Sequence, residues 1–386
     1  MTEKCIETFK GIFNRKSGVC CFAPGRVNLI GEHTDYNGGY VLPCTVTQGV
    51  VCVAAKRNDK LLRLYSLNFE KRGVIEMPID RIEKTGTWAD YPAGVFNTLL
   101  RFGYKLDCGV DMLFYGDLPR GAGLSSSAAI ETAAAVMLRE LFSLTIPNNL
   151  LAVAGQFAEK HFVGVSCGIM DQFAIAMGKK DHAILLNART LKYKYINIPT
   201  DRTDIIIINS LVRRGLTNSA YNERCAECEN AFAVLGKKTG AASLCDVTYE
   251  QLERYKDELS FKLFHRARHV ISENNRTLKA AAALQRGDVA VFGALMNESH
   301  RSLKDDFKVS CGQLNFLVDK AQKFPGVFGS RMTGAGFGGC TVTLIEKDKS
   351  EEFIDYIEKE YYSAFKVRPH VYKTTPGDGA RVLYHF

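Results

Sequence analysis

A segment rich in glycine and serine, between residues 116 and 127, constrains the fold of this chain more than any other. It follows an apolar run and precedes an alanine-rich run that reaches Leu141. Glycine lets several backbone N–H groups approach one point closely, and a helix that starts there turns its partial positive charge toward the same point. The segment therefore predicts a strand, a loop and a helix that together bind an anion, with a polyphosphate as the best-suited ligand.

Two better-known phosphate-binding motifs do not fit this segment. No Gly-Lys-Ser or Gly-Lys-Thr sequence follows the glycines, which excludes a Walker A loop. The glycine spacing, and the lack of an acidic residue at the expected distance, exclude a dinucleotide-binding fingerprint. From these residues alone, a small-residue turn before a buried helix remains the alternative.

Length, composition and charge exclude several classes of protein. A chain of 386 residues is long enough for two domains of ordinary size. Its net charge of +8 is spread along the sequence without a block of Lys and Arg, which argues against a nucleic-acid-binding role. No apolar run is long enough to cross a membrane, and the first residues have no signal-peptide pattern. We therefore expect a cytoplasmic protein that binds neither nucleic acid nor membrane.

The twelve cysteines could form a metal site or lie in the core. Cys225 and Cys228 have the spacing of zinc ligands, but no second such pair exists. They share one face of a predicted helix with Tyr221 and Leu235. Free cysteine behaves as a small hydrophobic residue, so we expect buried thiols, a reducing cytoplasm and no structural metal.

The order of apolar patterns predicts mixed α and β structure. Strands are expected at 50–55, 110–115, 182–186, 204–209, 341–345 and near 371, and helices at 147–164, 169–177, 217–235, 263–285, 288–300, 311–323 and 351–365. Because these elements do not alternate strictly as β-α-β units, the pattern favours an α+β fold over a doubly wound sheet. The layout places a domain boundary near residues 190–200, which gives domains 1–195 and 196–386.

Residues 23–40 form an unusually polar segment between apolar runs. Its chemistry-bearing residues are Arg26, Asn28, Glu32, His33, Asp35 and Asn37. Burying such groups without partners costs roughly several kcal/mol. The segment indicates a loop that offers donors and acceptors to a polyhydroxy ligand, with a solvated loop as the alternative.

Together these segments resemble the GHMP small-molecule kinase family and, within it, the galactokinases. Residues 26–37 match the galactokinase signature, residues 121–128 the family's phosphate loop, and residues 331–339 its third, glycine-rich motif. Further matches lie at 168–172, 219–224 and 268–276, so the resemblance covers nearly the whole chain. It implies the two-domain GHMP kinase fold, with an N-terminal domain like the second domain of ribosomal protein S5 and a ferredoxin-like C-terminal domain. The active site would lie in the cleft between them.

The resemblance implies ATP-dependent phosphorylation of the anomeric hydroxyl of α-D-galactose, with Mg²⁺ as cofactor. It makes Asp171 the active-site carboxylate and Arg26 the cation between that carboxylate and the transferring phosphoryl group. The implied galactose contacts are Glu32, His33, Asp35, Gly168 and Tyr221. The implied nucleotide contacts are Trp88, Gly121, Ala122, Gly123, Leu124, Ser125, Ser126 and Ser127. The implied magnesium positions are Glu159 with Ser126 or Ser127, and the sequence leaves open which serine.

Physical chemistry supports part of this assignment. A carboxylate within hydrogen-bond reach can orient a weakly nucleophilic sugar hydroxyl and accept its proton. A nearby arginine keeps that carboxylate ionised and can stabilise charge on the phosphoryl oxygens. Whether Asp171 removes the proton early or late stays open. Taken without the resemblance, Glu159 reads as a solvated surface charge, Tyr221 as part of an apolar helix face, and His33 as a turn residue. Trp88 reads equally as simple packing.

Other functions remain as alternatives. A sister kinase could act on L-arabinose, galacturonate or N-acetylgalactosamine, although Glu32 would repel the carboxylate of galacturonate. Cys225 and Asn187 stand where the family often has Arg and Asp, which bears on the sugar accepted. A non-catalytic sensor of galactose and ATP is the alternative from another class. We expect a monomer without an obligate protein partner.

Overall fold

A computed structural model describes residues 2–118, 123–165, 167–212 and 217–386, and it leaves the side chains of residues 217–219 undescribed. The strands are β1 (Val19–Asn28), β2 (Tyr40–Val41), β3 (Pro43–Lys56), β4 (Leu61–Ser66), β5 (Ile75–Pro78), β6 (Val110–Gly116), β7 (His182–Asn187), β8 (Tyr193–Asn197), β9 (Thr203–Asn209), β10 (Val327–Thr333), β11 (Cys340–Glu346), β12 (His370–Thr374) and β13 (Arg381–His385).

The α-helices are α1 (Thr2–Phe13), α2 (Asp90–Arg101), α3 (Ser126–Leu141), α4 (Asn148–Phe157), α5 (Met170–Met177), α6 (Thr217–Thr239), α7 (Tyr249–Arg254), α8 (Phe261–Gln285), α9 (Val289–Ser302), α10 (Gly312–Ala321) and α11 (Ser350–Phe365). Short π-helical turns extend two of them, at Ala158–Val163 after α4 and at Leu303–Phe307 after α9. Within the described ranges, no helix combines the length and apolar character needed to cross a membrane.

Two sheets carry most of the structure. The larger one has the strand order β13-β1-β3-β6-β4-β5, and only its β4–β6 pair is parallel among the described strands. The smaller one is antiparallel, with the order β10-β11-β9-β12. A three-stranded sheet, β2-β7-β8, lies beside them. Antiparallel pairing with separate helices is the α+β arrangement that the sequence pattern predicts.

The helices cover these sheets because their apolar faces pair with buried strand residues. Helix α3, in which five of sixteen residues are alanine, packs closely on β1 and β3, where small side chains let the helix approach. Helices α9 and α10 pack on β10. One apolar cluster joins residues of β1, β3 and β6 to Ile205, Ile207 and Phe292 in the C-terminal half. The two halves therefore share a continuous core.

The polar segment at 23–40 differs from its predicted form. Its first residues belong to β1, which pairs with β3 through Asn28, and a register shift falls between Pro24 and Arg26. Arg26 and Asn28 are buried within this strand rather than displayed on a loop. The prediction of a loop was wrong at these positions, and the buried charge of Arg26 is stable there because it pairs with Asp171, which is distant in sequence.

Most of the cysteines occupy the positions expected of core thiols. Eight of the twelve are buried, whereas Cys108, Cys167, Cys225 and Cys311 are half-buried. Cys228 packs in an apolar cluster with Leu235 on the same face of α6. Burial raises the pKa of Cys228 to about 12, so this thiol is protonated near neutral pH.

Candidate active site

Arg26 and Asp171 form the central pair of the site, although 145 residues separate them in sequence. Arg26 lies on β1, and Asp171 lies in the first turn of α5. The guanidinium donates from Nε to Oδ1 at 2.8 Å and from Nη2 to Oδ2 at 2.6 Å, and Nη1 donates to the Gly123 carbonyl at 2.6 Å. Two parallel bonds of this kind fix both the position and the plane of the carboxylate. The same arginine ties the carboxylate to the loop that precedes α3.

The serines at the start of α3 divide into different environments. Ser125 has a left-handed backbone, with φ of 61°, and its hydroxyl donates a hydrogen bond to Asp171 Oδ2. Ser126 is exposed and Ser127 is half-buried. Leu124 is buried in the core, and its carbonyl accepts the backbone N–H of Arg26. Thus Ser125, expected on a phosphate, contacts the central carboxylate, while Gly121 and Ala122 lie outside the described residues.

A cavity of about 200 Å³ opens beside these serines. Trp88, Phe69 and Tyr91 line it together with Ser126 and Ser127. The Trp88 ring lies nearly parallel to Phe69, with their centroids 6.2 Å apart. Among the described residues, no hydrogen-bond partner reaches the buried Nε1 atom of Trp88. An aromatic wall at a helix N-terminus suits a planar base joined to phosphates.

Glu32 is almost fully buried, with 3% of its surface exposed. Its Oε2 lies 3.0 Å from Nη2 of Arg331, which is itself fully buried. Burial raises the pKa of Glu32, although Arg331 and Arg26 oppose that shift. Sequence reasoning placed Arg331 in the third motif but missed its contact with Glu32, since nothing in either segment indicates the other.

His33 and Asp35 come from the same segment as Glu32, and we call the surface formed by these three residues the sugar surface. The His33 ring lies 4.7 Å from Phe307 and 5.9 Å from both Tyr36 and Tyr221, measured between centroids. Burial lowers the pKa of His33 to about 3, so the ring is neutral. Burial and the nearby Asp171 raise the pKa of Asp35 to about 7. A neutral imidazole and a carboxyl group beside aromatic rings can exchange hydrogen bonds with sugar hydroxyls.

Gly168 and Tyr221 adjoin the same residues. A Cβ atom on Gly168 would lie 1.7 Å from Oδ2 of Asp35, so the backbone at 168 leaves no room for a side chain. Burial raises the pKa of Tyr221 well above its usual value, and Asp35 raises it further. The structure thus brings the five predicted sugar contacts close to one another, with Asp35 near Asp171.

Glu159 lies in the π-helical turn after α4. It is 6% exposed, which excludes the reading as a solvated surface charge. Gln172 donates from Nε2 to Glu159 at 2.6 Å and to Glu131 at 2.9 Å. Burial and Asp171 raise the pKa of Glu159, while hydrogen bonds with Ser127 and Gln172 oppose the shift.

Glu131 is a residue that sequence reasoning missed. It is fully buried, and burial together with Glu159 raises its pKa well above the usual value. It follows Ser127 by four residues on α3, which places both on one helix face. A single acidic residue in an alanine-rich run at that spacing was the available signal.

Comparisons with known proteins identify the family of the chain. Residues 7–56 match the galactokinase galactose-binding signature, residues 90–179 the GHMP kinase N-terminal domain, and residues 280–364 the GHMP kinase C-terminal domain. A galactokinase from Clostridium acetobutylicum is 47% identical over 380 residues, which are 98% of both chains. The chain belongs to the galactokinase family.

Solved structures of kinases share the fold of this galactokinase-family chain. The crystal structure of Lactococcus lactis galactokinase complexed with galactose matches with a TM-score of 0.96 and 41% identity, and 99% of each chain is covered. A mevalonate kinase matches with a TM-score of 0.65 at 18% identity over 93% of this chain and 99% of its own, which shows a shared fold only. The two-domain GHMP kinase fold implied by the resemblance is confirmed.

Proposed function

We infer that this member of the galactokinase family transfers the terminal phosphoryl group of ATP to the anomeric hydroxyl of α-D-galactose, giving galactose 1-phosphate and ADP. The observation that carries the inference is the bidentate Arg26–Asp171 pair. Asp171 accepts a hydrogen bond from Ser125, next to the serines that line the cavity, and it also lies near Asp35. Full-length relatives named galactokinase support the choice of sugar.

Asp171 is suited to orient the acceptor hydroxyl and to take its proton. A carboxylate in this position acts as a general base or as a positioning acceptor. Arg26 holds the carboxylate in place through two hydrogen bonds and presents a cation to the phosphoryl group. Because phosphoryl transfer depends mainly on positioning and electrostatics, a rigid carboxylate and a rigid cation meet its requirements.

Ser127 and Glu159 are the residues that we propose hold Mg²⁺. Glu159 is a buried carboxylate, hydrogen-bonded to Ser127, and in the described part of the chain no cation pairs with it. Mg²⁺ prefers oxygen ligands and is usually held by few protein groups together with substrate phosphates. When bound, the ion neutralises charge on the phosphate oxygens. Ser126 is the poorer candidate because it is exposed.

The sugar surface supports galactose over galacturonate. Glu32 and Asp35 both present carboxyl groups there, and Asp171 lies close to Asp35. An acidic sugar would bring a further negative charge into this group, which is unfavourable at short range. Hydroxyl donors of a neutral hexose suit the same oxygens.

The remaining parts of the proposal concern the cellular compartment, the oligomeric state and the domain limits. The many buried cysteines favour a reducing compartment such as the cytoplasm, where disulfides are rare. The monomeric state and the domain limits at residues 195 and 196 stay predictions from the sequence.

A coupled assay of ADP release with galactose, ATP and Mg²⁺ tests the function. Asp171→Asn should lower kcat by about 10²- to 10⁴-fold while both substrates still bind. The exposed Asp305→Asn variant is the matched control and should keep normal turnover. Binding of galactose and ATP to the unaltered protein without ADP release would instead indicate a sensor.

A further inference from the structure

The segment at 268–276 lies on α8 and contacts the chain between β1 and β2. We call residues 29–39 the sugar-binding turn, because they include the predicted galactose contacts Glu32, His33 and Asp35. Glu273 of α8 accepts, at Oε1, the backbone N–H of Gly31 at 3.0 Å and of Glu32 at 3.2 Å. His269 Nε2 lies 3.1 Å from the Glu32 carbonyl. Asn274 Oδ1 accepts the Tyr40 N–H at 2.8 Å. Helix α8 therefore binds the main chain near both ends of the turn.

Glu273 is fully buried, and the surrounding cations stabilise its charge. Burial by itself would raise its pKa, but Arg276, His269 and Arg331 together lower the pKa to about 2. Ser299, on α9, donates its hydroxyl to the same Oε1 at 2.6 Å. One carboxylate oxygen thus accepts two backbone groups and one hydroxyl.

Arg331 connects Ser299 to the sugar-binding turn. Its Nε donates to Ser299 Oγ at 3.1 Å, its Nη1 donates to the Asn28 carbonyl at 3.1 Å, and its Nη2 lies 3.0 Å from Glu32 Oε2. Thr333 donates to the same Asn28 carbonyl at 3.0 Å. The planar fork of an arginine reaches all three partners at once, which a lysine could not do.

The turn itself leaves little freedom to move. Gly31 has φ of +93°, and a Cβ there would lie 2.7 Å from the Tyr40 carbonyl and 2.9 Å from Thr277 on α8. A buried polar network around a closely packed turn is rigid when its groups are satisfied and is disturbed when one is removed. The position of Glu32 therefore depends on groups that do not face the reacting centre.

We propose that Glu273, Ser299 and Arg331 form a positioning platform that orients Glu32 toward galactose and thereby sets sugar affinity rather than the rate of phosphoryl transfer. This rests on the proposed role of Glu32 in sugar binding. None of the three residues touches the Arg26–Asp171 pair in the structure. Loss of one platform contact should therefore act on galactose binding through Glu32.

Ser299→Ala tests the platform, with Ser330→Ala as the matched control. Both serines are fully buried, and Ser330 bonds to Thr343 at 2.8 Å, away from the sugar-binding turn. Loss of the Ser299 hydroxyl should raise the galactose Kd and KM by about tenfold and change kcat by less than about twofold. Ser330→Ala should leave the galactose Kd unchanged at a similar loss of Tm.

A second pair of measurements separates this inference from the role of Glu32. Glu32→Gln should also weaken galactose binding, and the combined Glu32→Gln and Ser299→Ala effect should be clearly smaller than the product of the two. Thr333→Val, which removes the hydroxyl that shares the Asn28 carbonyl with Arg331, should raise the galactose Kd by about threefold and serves if Ser299→Ala does not fold.

Three outcomes would contradict either the sugar-binding role of Glu32 or the positioning platform. Normal galactose binding in Glu32→Gln would reject its sugar role. Weak binding in that variant, but a Ser299→Ala effect no larger than that of Ser330→Ala, would reject the platform alone. A fall in kcat without a change in Kd would also reject it.

Discussion

Gly168 should be intolerant of the smallest possible side chain, for a reason that lies in the sugar site. In Gly168→Ala the added methyl carbon would lie 1.7 Å from Oδ2 and 2.4 Å from Cγ of Asp35. Non-bonded heavy atoms approach to about 3.5 Å, so the carboxyl group must move by roughly 1.5 Å or more. The three nearest atoms all belong to the Asp35 side chain, so the variant should fold with Asp35 displaced.

The size of the effect follows from the bonds that a displaced carboxyl loses. A hydrogen bond to a charged group contributes about 1.5–3 kcal/mol. Loss of one such bond to the sugar should raise the galactose Kd by roughly 10- to 150-fold. The ATP Kd should change by less than about twofold, because Asp35 belongs to the sugar surface.

Isothermal titration calorimetry with galactose and with ATP measures both constants. Gly11→Ala, at a helix position with open space around it, is the control for the Gly-to-Ala change itself. In an Asp35→Ala background, the further change Gly168→Ala should alter the galactose Kd by less than about twofold, since the clashing group is gone. Normal galactose binding by Gly168→Ala, or a large extra loss in the Asp35→Ala background, would refute the steric argument.

Three further predictions concern pH, metal and nucleotide. The pKa of Asp35 is raised to about 7 in the folded protein, so its contribution to stability is full below about pH 4 and is lost as pH rises through about 7. The Tm difference between the sugar-free protein and Asp35→Asn should therefore shrink and change sign across this pH window. A Tm difference that stays constant with pH would contradict the prediction. Glu159→Gln should raise the Mg²⁺ concentration for half-maximal activity by about tenfold or more and reduce the Mg²⁺-dependent gain in Tm with ATP, whereas exposed Glu352→Gln should change neither. Trp88→Leu should weaken ATP binding by about fivefold without affecting galactose, and an unchanged ATP Kd would assign Trp88 to packing alone.

Sequence patterns predicted the main strands and which residues meet at the site better than the contacts that hold those residues in place. The apolar runs predicted β6, β9 and β11 because buried strands carry a strong local signal. They did not place Arg26 in a strand, since a polar residue is stable there only with a partner 145 positions away. Ser125 lies in a sequence typical of a phosphate loop, and only its left-handed backbone turns the hydroxyl to Asp171.

The supporting residues were hidden for a related reason. Glu131 lies in an alanine-rich helix, and its partner Gln172 comes from another helix. Glu273 and Arg331 act on a turn about 240 and 300 positions earlier. Spacing along one chain segment carries no information about such pairs, so the fold is needed to find them.

The pairing of β13 with β1 has a consequence for how the protein is made. Residues Val19 to Phe22 of β1 pair with residues 381–385, so this edge of β1 stays open until a strand about 360 residues later has been synthesised. An unpaired strand edge can pair with another nascent chain. The strand that carries Arg26 is thus completed long after its own synthesis, and the yield of folded protein should depend on how that edge is protected during translation.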